Sequence, residues 1–124
     1  MEIGLTYTSR MVVEEGHLAQ NVGSGDLLVL ATPVMIMLME NAAMLAVADE
    51  ISSEESTVGA QISATHLRPT PLADTITATA TLTAVEGRKL TFAVVAEDSK
   101  GVIGEGTHVR YIINRERFVS KITQ

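Results

Sequence analysis

Thr32-Pro33-Val34-Met35-Ile36-Met37-Leu38-Met39-Glu40-Asn41-Ala42-Ala43-Met44-Leu45-Ala46-Val47-Ala48 is the stretch on which the fold turns. It is rich in Met, Leu and Ala and too long for an ordinary strand, so it reads as a helix. Thr32 is a favoured N-cap, and Pro33 suits the first helical position, where a missing N–H costs no intrahelical bond. Apolar residues occupy nearly every side, which predicts a central helix wrapped by other structure and not one lying with a face in water. The polar run Asp49 to Ser56 then closes it.

Downstream the period changes to two. Val58, Ala60, Ile62 and Ala64 alternate toward His66, which predicts that they share one strand face with it. From Thr75 to Val85 the alternation is cleaner still, with Ile76, Ala78, Ala80, Leu82 and Ala84 opposed to five threonines. Glu86-Gly87-Arg88 and Asp98-Ser99-Lys100-Gly101 are turn signals that separate Leu90–Ala96 from its neighbours and open Val102–Ile113. Upstream, a strand is expected around Tyr7–Val13, followed by a glycine-bearing loop at Gly23-Ser24-Gly25-Asp26. Asn114 is placed to cap a short last helix over Arg115–Lys121. One long helix before an antiparallel meander gives an α+β plan in which a curved sheet wraps one helix, the hot-dog fold.

The 124 residues fall within the range of one domain, expected over 1–124. With 46% apolar and 19% charged residues the composition is globular, and no unbroken apolar run of 18 or more suggests a membrane span. Met1–Arg10 lacks the basic start and apolar run of an export signal. The absence of cysteine excludes disulfides, thiolate metal sites and a cysteine nucleophile, and suits a cytoplasmic setting. A net charge of −6 argues against a nucleic-acid binder. That charge is uneven: residues 1–65 hold nine acids against Arg10 alone, whereas 66–124 hold six acids against eight bases. Arg68, Arg88, Lys89, Arg110 and Arg115 could therefore gather around a small anionic ligand.

Three residues stand out chemically. Glu40 is an acid in an otherwise apolar helix and requires a partner or exposure, since an unpaired buried carboxylate costs several kcal/mol. His66 points by alternation to the side that the helix covers, and an imidazole can take and return a proton near neutrality. Thr32 brings a hydroxyl to the helix start, where free amides favour developing negative charge. Pro33 has no N–H, so such amides must come from Val34, Met35 or the preceding loop. His108 reads as structural, and no spacing of His and acid suggests a metal site.

Thr32-Pro33, Met39-Glu40-Asn41-Ala42, Thr57-Val58-Gly59, His66, Pro69-Thr70-Pro71, Val85-Glu86-Gly87-Arg88 and Ile103-Gly104-Glu105-Gly106-Thr107-His108-Val109-Arg110 together resemble the landmarks of fluoroacetyl-CoA thioesterase-like hot-dog proteins. The resemblance implies that Thr32, Glu40 and His66 match the family's catalytic residues, and that Gly59 and Arg110 match its substrate-contacting ones. It also implies hydrolysis of a small or medium acyl thioester to a carboxylic acid and free coenzyme A. No cofactor is implied beyond the coenzyme A carried by the substrate, and the expected assembly is a homodimer or larger homo-oligomer with sites near the interface. A non-catalytic acyl-CoA-binding module and a hot-dog hydratase or dehydratase are the alternatives. The loop Gly23–Leu28 lacks the aromatic lid expected for fluoroacetyl selection, so a broader or different acyl-thioester substrate is anticipated.

Overall fold

The computed structural model describes residues 1–123. The elements run β1 (Thr6–Val12), a 3-10 turn (Glu15–His17), α1 (Ala19–Val22), α2 (Thr32–Ala46), a second 3-10 turn (Ala48–Glu50), β2 (Glu55–His66), β3 (Thr75–Glu86), β4 (Lys89–Asp98), β5 (Gly101–Asn114) and α3 (Arg115–Ile122). Every pairing in the five-stranded sheet is antiparallel, in the order β1-β3-β4-β5-β2. The meander of β3, β4 and β5 is the expected one. The strand after the helix crosses to the far edge beside β5, leaving β1 and β2 with open edges.

α2 lies across the concave face, mainly on β3 and β1. Met35, Leu38, Met39, Ala42 and Ala43 form its buried stripe at the spacing of one helical face. The sheet makes room with small residues. Ala78, Ala80 and Ala96 are fully buried, and a Cβ at Gly104 would press on Met35 Sδ at 2.6 Å. Outward positions of β3 are the threonines, as alternation requires, until a register slip between Leu82 and Ala84. Past that slip Val85, opposite the buried Leu90, takes the inward place expected of Ala84, which instead pairs with Thr91.

Three further expectations change. Ala31, and not Thr32, is the N-cap of α2; Thr32 and Pro33 are its first two residues, so the threonine hydroxyl is free of capping duty. The helix is not wrapped on all sides, because Met37 and Met44 are 46% and 38% exposed on its outer face. With the following turn it forms a 19-residue run of mean hydropathy 1.2, long and apolar enough to cross a membrane by composition alone. Its packed stripe marks it as the core helix instead. Lastly, a β-bulge at Ala60 reverses the phase of β2: Thr57 and Gly59 share the inner side with Ile62, Ala64 and His66, while Val58 and Ala60 leave it. At the end of the chain Asn114 Oδ1 accepts the Arg117 N–H at 3.0 Å, the anticipated cap of α3.

Candidate active site

The expected residues fall into two groups. In the first, Thr32 Oγ1 and His66 Nδ1 lie 2.7 Å apart. Thr32 is held at the mouth of α2 because the Ala31 N–H bonds the His17 carbonyl and the Leu30 N–H bonds the Thr70 carbonyl. His66 ends β2 opposite Gly104. Its Nε2 is buried and has no hydrogen-bond partner among the described residues. Burial pushes the imidazole pKa below its ordinary 6.5, a shift that the nearby Arg68 backbone partly offsets, so the ring is neutral at pH 7. A cleft of about 250 Å³ opens beside the pair, walled by Ala19, Ser24, Val29, Leu67, Arg68 and Pro69.

Two of the amides considered as oxyanion donors are occupied, since the Val34 and Met35 N–H groups both reach the Ala31 carbonyl. The Thr32 N–H makes no hydrogen bond among the described residues. It points from the positive end of the α2 dipole, where a developing negative charge is favoured.

The second group surrounds Glu40. Arg110, almost wholly buried, places NH1 at 4.0 Å from Glu40 Oε2. The guanidinium is fixed by Thr57, which accepts Nε at its hydroxyl and NH2 at its carbonyl, both at 2.9 Å. NH1 also sits 3.1 Å from His108 Nε2. A guanidinium can only donate, so His108 Nε2 is an acceptor; Nδ1 therefore carries the proton and donates to the Gln61 carbonyl at 2.8 Å. His108 is a neutral bracket for Arg110, its pKa lowered chiefly by burial and further by the neighbouring cation. Gly59 closes the group: a Cβ there would stand 2.9 Å from Glu40 Oε2. Glu40 itself is not buried, its side chain being 43% exposed, and Asn41 does not satisfy it, accepting instead from the Ser9 hydroxyl at 2.7 Å.

A single chain does not join the two groups. Thr32 and Glu40 are eight residues apart on one helix, about 12 Å along its axis. Gly59 and His66 are seven apart on one strand, about 23 Å. No acid contacts the imidazole of His66 among the described residues.

One element escaped the sequence reading. Asp98, its side chain only 1% exposed, accepts from Arg68 NH2 at 3.0 Å, Thr70 Oγ1 at 2.8 Å and Lys100 N at 2.8 Å. It ties the loop after His66 to the β4–β5 turn, and through the Thr70 carbonyl to the segment that carries Thr32. Its only signal in the sequence was a turn-forming aspartate. Among the described residues no group of three His or acidic side chains is placed to hold a metal.

Comparison with known proteins bears on this arrangement. Residues 13–116 match the family described as fluoroacetyl-CoA-specific thioesterase. The chain belongs to that family. Within it, the fluoroacetyl-CoA thioesterase of Streptantibioticus cattleyicolor is 43% identical over 96 residues, covering 77% of this chain and 69% of that protein. A solved structure of a threonine-to-serine variant of fluoroacetyl-CoA thioesterase in complex with acetyl-CoA superposes with a TM-score of 0.94 at 35% identity, over 100% of this chain and 98% of that one. A thioesterase superfamily member from Thermus thermophilus, at 21% identity and a TM-score of 0.91 over 98% and 90%, shares the fold. The fold is thus the hot dog, and membership makes the protein a thioester hydrolase.

Proposed function

We propose that the protein cleaves acyl-CoA thioesters, and that each active site is shared by two protomers of a homodimer. The observation that carries this reading is the Thr32–His66 contact at 2.7 Å together with the unpartnered, buried Nε2 on the other side of the ring. If Nδ1 accepts the threonine proton, the neutral ring carries its hydrogen on Nε2, a buried donor in need of an acceptor. Glu40 is the carboxylate suited to it, half in solvent and steadied by Arg110, but out of reach within one chain.

Two features of the surface support pairing. The twelve-residue β2 has an unpaired outer edge, and the outer stripe of α2 exposes Met37 and Met44 on either side of Glu40. Antiparallel pairing of two β2 edges about a two-fold axis between Ile62 and Ser63 lays His66 of one protomer opposite Gly59 of the other. Gly59 is the residue that faces Glu40.

Catalysis then runs through the threonine. Its hydroxyl proton passes to His66 Nδ1 as Oγ1 attacks the thioester carbonyl, and the oxyanion faces the free Thr32 N–H. Collapse breaks the C–S bond, and His66 returns the proton to the departing thiol. Water, activated by the same base, then releases the carboxylic acid and restores Thr32. Glu40 balances the imidazolium charge, and Gly59 and Arg110 keep that carboxylate in place. The acyl group occupies the aliphatic cleft beside Thr32, where Ala19, Val29 and Leu67 suit a small or medium alkyl chain.

Mixing two dead variants tests both claims. Glu40→Gln and His66→Ala proteins should each release little thiol from acyl-CoA. After the subunits are exchanged, hybrid dimers carry one intact site, so roughly a quarter of the parental activity should return. No recovery, with subunit exchange verified, would remove the shared site; full activity in either variant alone would remove the mechanism.

A further inference from the structure

The mechanism leaves the long nucleotide end of the substrate without a seat. We propose that the cleft between the β3–β4 turn and α3 holds the phosphorylated adenosine end of coenzyme A, an inference that rests on the acyl-CoA reading above. The cleft, about 210 Å³, is lined by Arg88, Ile112, Asn114, Arg117, Phe118 and Lys121.

Position argues for it first. Ile112 is the next inward residue of β5 after Arg110, so the cleft begins about 7 Å along the same strand face from the guanidinium beside Glu40. A thioester lying at Glu40 and Gly59 and running out along β5 brings its far end to α3. The acyl group instead crosses the β2 edge, away from β5, into the cleft beside Thr32 of the partner protomer, so the two ends of the substrate do not compete for space.

Charge argues for it second. The protein is acidic overall, at −6, yet three cations converge here. Arg88 is engaged by Glu55 Oε2 and the Ile112 carbonyl, both at 3.3 Å. Arg117 and Lys121 have no ion-pair partner among the described residues and, four apart on α3, project on one side. Two unpaired cations beside a third match the separate diphosphate and 3′-phosphate charges of coenzyme A. Phe118, 39% exposed at the same cleft, offers the ring face on which a purine stacks. A simple anion would use the cations and leave the ring idle.

The test compares two thioesters of one acyl group, butyryl-CoA and butyryl-pantetheine, the second lacking every phosphate and the adenine. In the double variant R117A/K121A, KM for butyryl-CoA should rise roughly tenfold with kcat held, the size expected for charge-assisted contacts at a half-exposed site. Constants for butyryl-pantetheine, which never reaches those cations, should match those of the parent and show that the variant is folded. Phe118→Ala should raise KM for the CoA ester in the same selective way, and added salt should raise it more in the parent protein than in R117A/K121A. An unchanged KM for butyryl-CoA in R117A/K121A, or an equal loss on both thioesters, would overturn the subsite while leaving the hydrolase intact. Thiol release from neither thioester by the parent protein would sink the hydrolase reading and this one with it.

Discussion

Alanine at position 59 separates catalysis from stability. Its Cβ would stand 2.9 Å from Glu40 Oε2, 3.3 Å from His108 Cε1 and 3.4 Å from Arg110 NH1. Only the first is a true overlap; carbon and its non-bonded neighbours settle near 3.5 Å, so the carboxylate must retreat by roughly half an ångström. Glu40 is long and 43% exposed, and it can do so at about 0.5–1.5 kcal/mol of rotamer strain. Replacing glycine recovers about 0.4–1 kcal/mol through the unfolded chain, so G59A should change stability by no more than about 1 kcal/mol, roughly 3–5 °C in Tm. The reaction should suffer far more, with kcat falling about tenfold to a hundredfold as the carboxylate leaves its line to the imidazole. Thiol release can be followed with a thiol-trapping chromophore without background, because the protein has no cysteine. Gly106→Ala is the contrast: its Cβ would run into the Ser63 carbonyl and the Ala64 Cα of β2, backbone that cannot swing away, so that variant should lose several kcal/mol or fail to fold. Activity of G59A within about threefold of the parent would refute the role given to the Glu40–Gly59 contact.

Two further outcomes follow from the same geometry. Both His66 and His108 have pKa values lowered by burial, so the working base stays neutral and kcat/KM should hold from pH 8 to about 6.5 and fall only below the ordinary histidine value. The sign for stability is the same. Between the depressed folded pKa values and the unfolded value near 6.5 the unfolded chain binds more protons, so Tm should decline as pH drops through that window and level off beneath it. Asp98→Ala should cost about 2 kcal/mol by orphaning Arg68 and Thr70, a figure kept low because Arg68, 38% exposed, can turn to water. It should also lower kcat, since the Thr70 carbonyl anchors Leu30 two residues ahead of Thr32; unchanged kcat in the folded variant would confine Asp98 to a structural role.

Much of the fold was legible because local rules and tertiary packing agreed. The apolar run from Val34 to Ala48 could only be a helix, and the threonine alternation of β3 could only be a strand with one wet face. Reading failed where one residue changed the phase. The bulge at Ala60 is invisible to a period-two count, yet it turns Gly59 inward toward Glu40 and Val58 out. The cap failed for a related reason: threonine before proline fits an N-cap so well that its one-residue displacement into the helix was not foreseen, and that displacement frees its hydroxyl for His66. The anchoring of His66 and Thr32 by Asp98 joins residues some thirty apart, a relation no local pattern encodes.

Glu40 shows how one anomaly can carry two meanings. An acid inside an apolar helix suggests a buried charge that needs a partner or exposure, and the alternation of β2 points His66 to the side that the helix covers. Within the protomer the acid is half exposed, while the apolar residues on either side of it, Met37 and Met44, are exposed too. In the dimer proposed above, a second copy would supply both the missing cover and the missing imidazole to this uncovered face of α2. Hydrophobic burial between those two protomers would exclude water from the carboxylate and strengthen its hold on the incoming Nε2–H. Assembly and catalysis would rest on the same strip of α2. A charge placed at Met37 should therefore abolish activity as it dissociates the dimer, even though Met37 is asked to touch no reacting atom.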